Sequence, residues 1–263
     1  MIPRILHQTW KDAEVPERWR PLQHTWRKNH PDWEYRLWTD AELRNLVAEH
    51  YPWFLESYDA YDHAISRVDA ARYFLLHRHG GLYVDLDFEC LRPIGALLAS
   101  HSLVLGVEPD AHMALPVVQR RSKPLSQIVC NAFAASTAGH PFWDHVFPLL
   151  IEHARERDPL DAAGPFFLTE AIESYTGSAP THLASAAQLY PVDKLELERG
   201  EAVPSEIPAA LGEEAFAVHH WAGSWIEGFK AEDRRLSTGR GWGPLPAYAE
   251  NPSGPLEPPR RRV

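Results

Sequence analysis

The chain has 263 residues, 36 acidic side chains against 26 basic ones, and a formal net charge of −10. Hydrophobic residues make up 44% and tryptophan occurs ten times, which excludes a disordered chain. The acidity argues against a nucleic-acid binder, whose contact face is normally basic. It leaves phosphate ligands open, because a metal ion neutralises phosphate locally.

The two cysteines, Cys90 and Cys130, are too few for a disulfide framework and predict reduced thiols. The N-terminus lacks the charged-then-apolar pattern of a signal peptide. No run approaches the roughly 18 apolar residues that span a bilayer. The expectation is a cytoplasmic protein, with peripheral contact at the inner face of a membrane left open.

In chain order, Ile2–Trp10 (IPRILHQTW) reads as a buried strand ending in polar groups. Pro16–Asn29 has helical spacing through Trp19, Leu22 and Trp26, and Tyr35–Trp38 alternates as a second strand. Thr39-Asp40 offers an N-cap for a helix from Ala41 to about Glu49. This alternation predicts an α/β fold whose sheet begins parallel. Ser66–His79 is the clearest helix, stopped by Gly80-Gly81 and followed by a buried strand from Leu82 to Asp87. Leu103–Val107 is a further strand. Pro124–Arg157 reads as mostly helical, with Phe142, Val146, Leu149 and Leu150 on one face. Gly164-Pro165 opens a short helix through Ile172, and Ala215–His219 is a short strand. From Gly239 the composition turns Gly-, Pro- and Arg-rich, with six prolines after Trp242 and a closing Arg260-Arg261-Arg262. The predicted division is a folded domain over 1–238 and a tail over 239–263.

Asp85-Leu86-Asp87 closes the buried strand with two carboxylates at i and i+2, which share a face in a regular strand. Ligands of open α/β sheets bind outside the carboxyl ends of the strands. Paired carboxylates there need a proton or a cation, and Mg²⁺ or Mn²⁺ suits oxygen ligands. Asp69 and Arg72 share a face of the preceding helix, either as a local ion pair or as groups that hold a phosphate or sugar. In His219-His220-Trp221-Ala222-Gly223-Ser224-Trp225, adjacent histidines on a strand point to opposite faces, so one can join Asp87 on a metal. His7-Gln8-Thr9-Trp10 ends the first strand, and Trp10 offers a flat face on which a nucleobase can stack. Neither a phosphate-binding P-loop nor a Rossmann glycine fingerprint is present.

These segments together resemble the family 32 glycosyltransferases, the group with a DXD sugar-binding region. The resemblance rests on IPRILHQTW at the start, SRVDAARYFLLHRHGGLYVDLD at 66–87, GPFFLT at 164–169 and HHWAGSW at 219–225. The family includes fungal α-1,6-mannosyltransferases and inositol-phosphoceramide mannosyltransferases. The resemblance implies a GT-A-type, Rossmann-like single domain with a mixed central sheet flanked by helices. It further implies a UDP- or GDP-sugar donor, a glycan or glycolipid acceptor, Mn²⁺ or Mg²⁺, and transfer with retention of configuration.

Carried over by motif, Asp69, Arg72 and Asp85 would be catalytic and would also hold the donor. Asp87, His219 and Asp85 would face the metal. His7, Gln8, Trp10, Gly164, Pro165, Thr169, Ser224 and Trp225 would complete the donor site. No N-terminal membrane anchor of the Golgi members is seen. Two other readings remain at this point: a haloacid-dehalogenase-type phosphohydrolase with Asp85 as nucleophile, and a nucleotide-sugar binder without turnover. The phosphohydrolase would need a later lysine and an acidic pair, yet lysines are few and no Asp-Asp follows residue 87.

Overall fold

The computed structural model describes residues 1–195, 211 and 213–223. The predicted boundary at 238 and the tail over 239–263 lie outside the described residues. The chain opens with β1 (Ile5–Trp10), α1 (Arg20–Asn29), β2 (Glu34–Thr39) and α2 (Asp40–His50). Next come α3 (Leu55–Ala60), α4 (Ala64–His79), β3 (Gly81–Val84) and β4 (Phe88–Cys90). Then α5 (Gly95–Leu98), β5 (Leu103–Val107), α6 (Pro116–Gln119) and β6 (Val129–Ser136) follow. The last described elements are α7 (Pro141–His153), α8 (Pro159–Ala162), α9 (Pro165–Glu173), β7 (His182–Ala184), α10 (Ala186–Leu189) and β8 (Ala217–His219).

Six strands form one sheet in the order β2-β1-β3-β6-β5-β7, and β4 pairs with β8 in a separate ribbon. β1 runs parallel to β2 and β3, as the alternation at the start of the chain predicts. β6 lies antiparallel to both β3 and β5. The sheet is therefore mixed, with helices on both faces. On one face, α2, α4, α7 and α9 pack through Leu46, Phe74, Val146 and Phe167 against Tyr83, Leu105 and Ala134. On the other, Trp26 of α1, Phe88 and Tyr190 cover Leu82, Val104 and Phe133. Phe74 stacks on Phe147 at 4.6 Å, and such pairs add about 0.5–1.5 kcal/mol beyond their buried area. Both cysteines are buried thiols.

The helical reading of 124–157 holds for α7 and fails for β6. All eight residues of β6 are buried, so neither face needs a polar residue and the sequence VCNAFAAS shows no alternation. A continuous small apolar run of that kind carries no period that separates strand from helix. Thr39 caps α2 in a capping box with Glu42, as predicted. Gly80 and Gly81 end α4 and start β3 at φ +64° and +94°. A Cβ on Gly80 would lie 2.6 Å from the Ala138 nitrogen, and one on Gly81 would lie 2.6 Å from the Ile5 carbonyl. The glycine pair thus joins the longest helix to the centre of the sheet without a loop.

Candidate active site

β3 stops at Val84, one residue before the DXD motif. Asp85–Phe88 is a turn closed by the Phe88 N–H on the Asp85 carbonyl at 3.2 Å. The two aspartates therefore do not lie on one face of a regular strand, as the i, i+2 spacing predicts. They converge because the turn folds the chain back into β4 and because other groups hold each carboxylate.

Asp85 is half-buried. Its Oδ1 accepts the Tyr83 hydroxyl at 2.6 Å and lies 3.5 Å from the Arg72 guanidinium. Gln8 supports the same turn by donating to the Asp85 carbonyl at 3.3 Å. Asp87 is gripped by β8 and the residues after it. Its Oδ1 is 3.2 Å from His219 Nε2, its Oδ2 accepts the Ala222 N–H at 3.0 Å, and its carbonyl accepts the His220 N–H at 2.9 Å. His220 points away and pairs with Glu89 at 3.0 Å, as the alternation of a strand requires.

Burial raises the Asp85 carboxyl, with Arg72 opposing and the Asp87 charge adding to the rise. Burial also pushes Asp87 up, but the charge and hydrogen bond of His219 and the Ala222 N–H outweigh it and hold Asp87 at about 2. Conversely, burial would lower His219, and the Asp87 carboxylate raises it instead. Ligand atoms of Asp85, Asp87 and His219 all lie within 4.8 Å of one another. The two carboxylates suit a hard divalent ion, and the imidazole favours Mn²⁺ over Mg²⁺. Buried His219 Nδ1 has no hydrogen-bond partner among the described residues.

Arg72 lies behind this triad with its side chain almost wholly buried. It donates to the Asn131 carbonyl and to Asp69 Oδ1, each at 2.6 Å, and stacks over the Tyr83 ring at 4.4 Å. The pair is thus more than a surface contact between helix neighbours. Burial pushes the Asp69 carboxyl up to about 7 against the opposing Arg72 charge, with Asp85 reinforcing the rise. Arg72 Nε is buried without a partner among the described residues.

One cavity is lined by Asp69, Arg72, Asp85, Asp87, His219 and Pro165. Residues remote in sequence complete it: Glu108, His112, Asn131 and Trp221 on the polar side, with Leu115, Val118 and Phe166 forming an apolar wall. Sequence reasoning missed these. Of these, Trp221 carried a local signal, since it follows His219-His220 in the HHWAGSW motif; Tyr83, which holds Asp85, carried one too, two residues before it.

Other predicted residues do not line this cavity. His7 is fully buried between the Gly80 carbonyl at 2.9 Å and Trp38 Nε1 at 3.0 Å. Thr169 fastens α9 to β6, accepting the Val129 N–H at 2.8 Å and donating to the Pro165 carbonyl at 2.7 Å. A Cβ on Gly164 would lie 2.8 Å from the backbone of Pro159 and Leu160, so this glycine lets α8 approach α9. Trp10 is half-buried beside Leu86, Val15 and Trp19 at the end of β1. Ser224 and Trp225 lie outside the described residues.

Residues 16–104 match the family described as "Glycosyltransferase sugar-binding region containing DXD motif". The chain is 39% identical over 155 residues to inositol phosphoceramide mannosyltransferase 2 of Schizosaccharomyces pombe, covering 59% of this chain and 40% of that protein. It is 38% identical over 180 residues to the mannosyl phosphorylinositol ceramide synthase SUR1 of Saccharomyces cerevisiae, covering 66% and 43%. The chain therefore spans about two fifths of the length of these relatives. Among solved structures, mouse xyloside xylosyltransferase 1 is similar at 12% identity and a TM-score of 0.46, covering 82% of this chain and 84% of that one. The aspartates of the turn after β3 fall inside the matched region, so this part of the chain is similar to the DXD-containing sugar-binding region of glycosyltransferases.

Proposed function

We propose that this chain is a metal-dependent, retaining glycosyltransferase of GT-A type. It moves a hexose from a nucleotide-sugar donor to a glycan or glycolipid acceptor. The observation that carries the reading is the convergence of Asp85, Asp87 and His219 in one cavity with the buried Asp69–Arg72 pair behind them. The names of the relatives favour mannose as the sugar and an inositol phosphoceramide as the acceptor.

In such a reaction negative charge grows on the departing nucleoside diphosphate. Asp87, His219 and Asp85 would hold a divalent ion, which when bound offsets that charge. Arg72, fixed by Asn131 and Asp69, adds a preorganised cation a few ångströms away and needs no reorientation as the charge develops. Asp69, whose carboxyl titrates near neutrality, can exchange hydrogen bonds with hydroxyls of the donor sugar. The Tyr83 hydroxyl fixes Asp85 facing the same space. With no carboxylate singled out as a nucleophile, the reading is a front-face displacement in which the acceptor attacks on the side the diphosphate leaves.

The test is to incubate the protein with GDP- and UDP-hexoses, with and without Mn²⁺, and to follow both hydrolysis and transfer to inositol-phosphate-bearing lipid. NMR of the anomeric proton reads the configuration. Mn²⁺-dependent turnover with a retained anomer supports the proposal. An inverted product or a trapped glycosyl–protein adduct removes the mechanism, and turnover indifferent to metal removes the role of the Asp85–Asp87–His219 cluster.

A further inference from the structure

His112 stands outside the cluster just described, yet it lines the same cavity and is almost completely buried. Each of its ring nitrogens faces a carboxylate: Nδ1 lies 2.7 Å from Glu108 Oε2 and Nε2 lies 2.9 Å from Asp193 Oδ1. Glu108 follows directly on β5, whereas Asp193 belongs to the segment after α10. The imidazole therefore ties two distant stretches of chain together.

The ring of Trp221 meets His112 edge-on at 4.7 Å. On another side it meets His219 at 4.2 Å, and its Nε1 donates to the Val192 carbonyl at 2.8 Å. Val192 precedes Asp193, so His112 holds both the ring and the strand of chain that accepts the ring's hydrogen bond. Trp221 adopts φ +50°, and no other non-glycine residue among those described has a positive φ. A bulky side chain rarely takes that conformation unless its surroundings impose it. β8 already sets His219 beside one oxygen of Asp87, and the left-handed turn that follows brings the Ala222 N–H to the other.

We propose that His112 is a positioning residue for the metal-side pair: held between Glu108 and Asp193, it fixes the Trp221 ring against His219 and so the turn that brings the Ala222 N–H onto Asp87. The inference rests on the reading of Asp85, Asp87 and His219 as the metal-facing groups. It adds that their alignment is set from the far wall of the cavity. Groups of this kind tune affinity because a ligand held out of line must be reoriented when the ion binds.

The test is Mn²⁺ titration of the full chain, read by electron paramagnetic resonance of the unbound ion. His112→Ala is expected to weaken Mn²⁺ binding by about 10-fold, the lower end of the range for groups bonded directly to metal ligands, because His112 acts through Trp221. His112→Asn, which retains one polar contact, is expected to fall between. In turnover, the half-saturating Mn²⁺ concentration rises in step while kcat is largely recovered at saturating ion. His30→Ala is the control: His30 is a buried histidine that bonds the Trp26 carbonyl and the Ile94 N–H away from the cavity, and its loss lowers Tm without moving Mn²⁺ affinity. Should His112→Ala fail to fold, Trp221→Phe keeps a smaller ring at this position and removes the bond to Val192 with part of the contact to His112; it too must weaken Mn²⁺ binding. A His112→Ala protein that melts earlier yet binds Mn²⁺ like the wild type overturns the proposal alone. A wild-type protein that binds no Mn²⁺ overturns the metal reading, and the proposal falls with it.

Discussion

His219 Nε2 lies 3.2 Å from Asp87 Oδ1, although 132 residues separate the two. The contact exists because β8 pairs antiparallel with β4, which places His219 opposite Phe88 in the register. Phe88 is the residue after the DXD motif, so the strand pairing carries the histidine onto the second aspartate. The Asp87–His219 half of the site is thus built by a two-stranded ribbon outside the main sheet.

Replacing Asp87 by Asn should keep an oxygen for the Ala222 N–H and remove the carboxylate. Mn²⁺ at a hundred times its Kd should stabilise the wild type by about 2.7 kcal/mol. Asp87→Asn should show little or none of that gain in a thermal-shift assay. An unchanged Mn²⁺-dependent rise in Tm would remove Asp87 from the metal-facing set.

Tyr83→Phe deletes one hydroxyl and leaves the ring under Arg72. The hydroxyl donates to Asp85 Oδ1 and also meets Thr9 Oγ1 at 3.1 Å, and hydrogen bonds to charged groups are worth about 1.5–3 kcal/mol. Denaturant unfolding should show a loss of that order or smaller. Turnover should fall further than stability predicts, because the freed Asp85 carboxylate rotates out of line. Equal kinetic constants for the two proteins would show that Asp85 needs no such support.

His7 provides the pH prediction. Burial lowers its pKa from 6.5 to about 4, with the Gly80 bond opposing. The unfolded chain therefore binds more protons than the native one between these values, and stability rises with pH across that window. The contribution is complete above about pH 6.5 and declines as pH falls toward 4. A shift of that size corresponds to about 3 kcal/mol. His7→Gln should flatten this part of the pH–stability profile. Donor affinity should stay unchanged, since His7 does not line the cavity; a large loss of donor affinity in a folded variant would return His7 to the donor site.

Gly81→Ala tests the junction between α4 and β3. At φ +94°, with the Ile5 carbonyl 2.6 Å from the new Cβ, the backbone itself must move. The expected destabilisation is well above the ~1 kcal/mol of an ordinary glycine effect. Because β3 leads straight into Asp85, any folded fraction should also lose Mn²⁺ affinity. A variant as stable and as active as the wild type would contradict the close approach of β1 and β3 here.

Short-range chemistry was legible in the amino-acid order. Thr39 with Glu42 marks a helix start, Gly80-Gly81 a helix stop, and the apolar LYV before Asp85 a buried strand; each rule operates within a few residues. The DXD motif, the Asp69–Arg72 pair and His219 were legible too, as residue types at telling spacings. Tertiary structure decided what spacing does not encode. It made 129–136 a strand, because burial on both faces erases the alternation that would mark one. It put the aspartates in a turn, where Tyr83, Arg72 and His219 align them. It drew His7 and Thr169 into packing roles, since buried polar atoms bond to the nearest backbone whatever motif they belong to. It also brought Glu108, His112, Asn131 and Trp221 to the cavity from three separate segments, a convergence set by strand order and register and written in no local stretch of sequence.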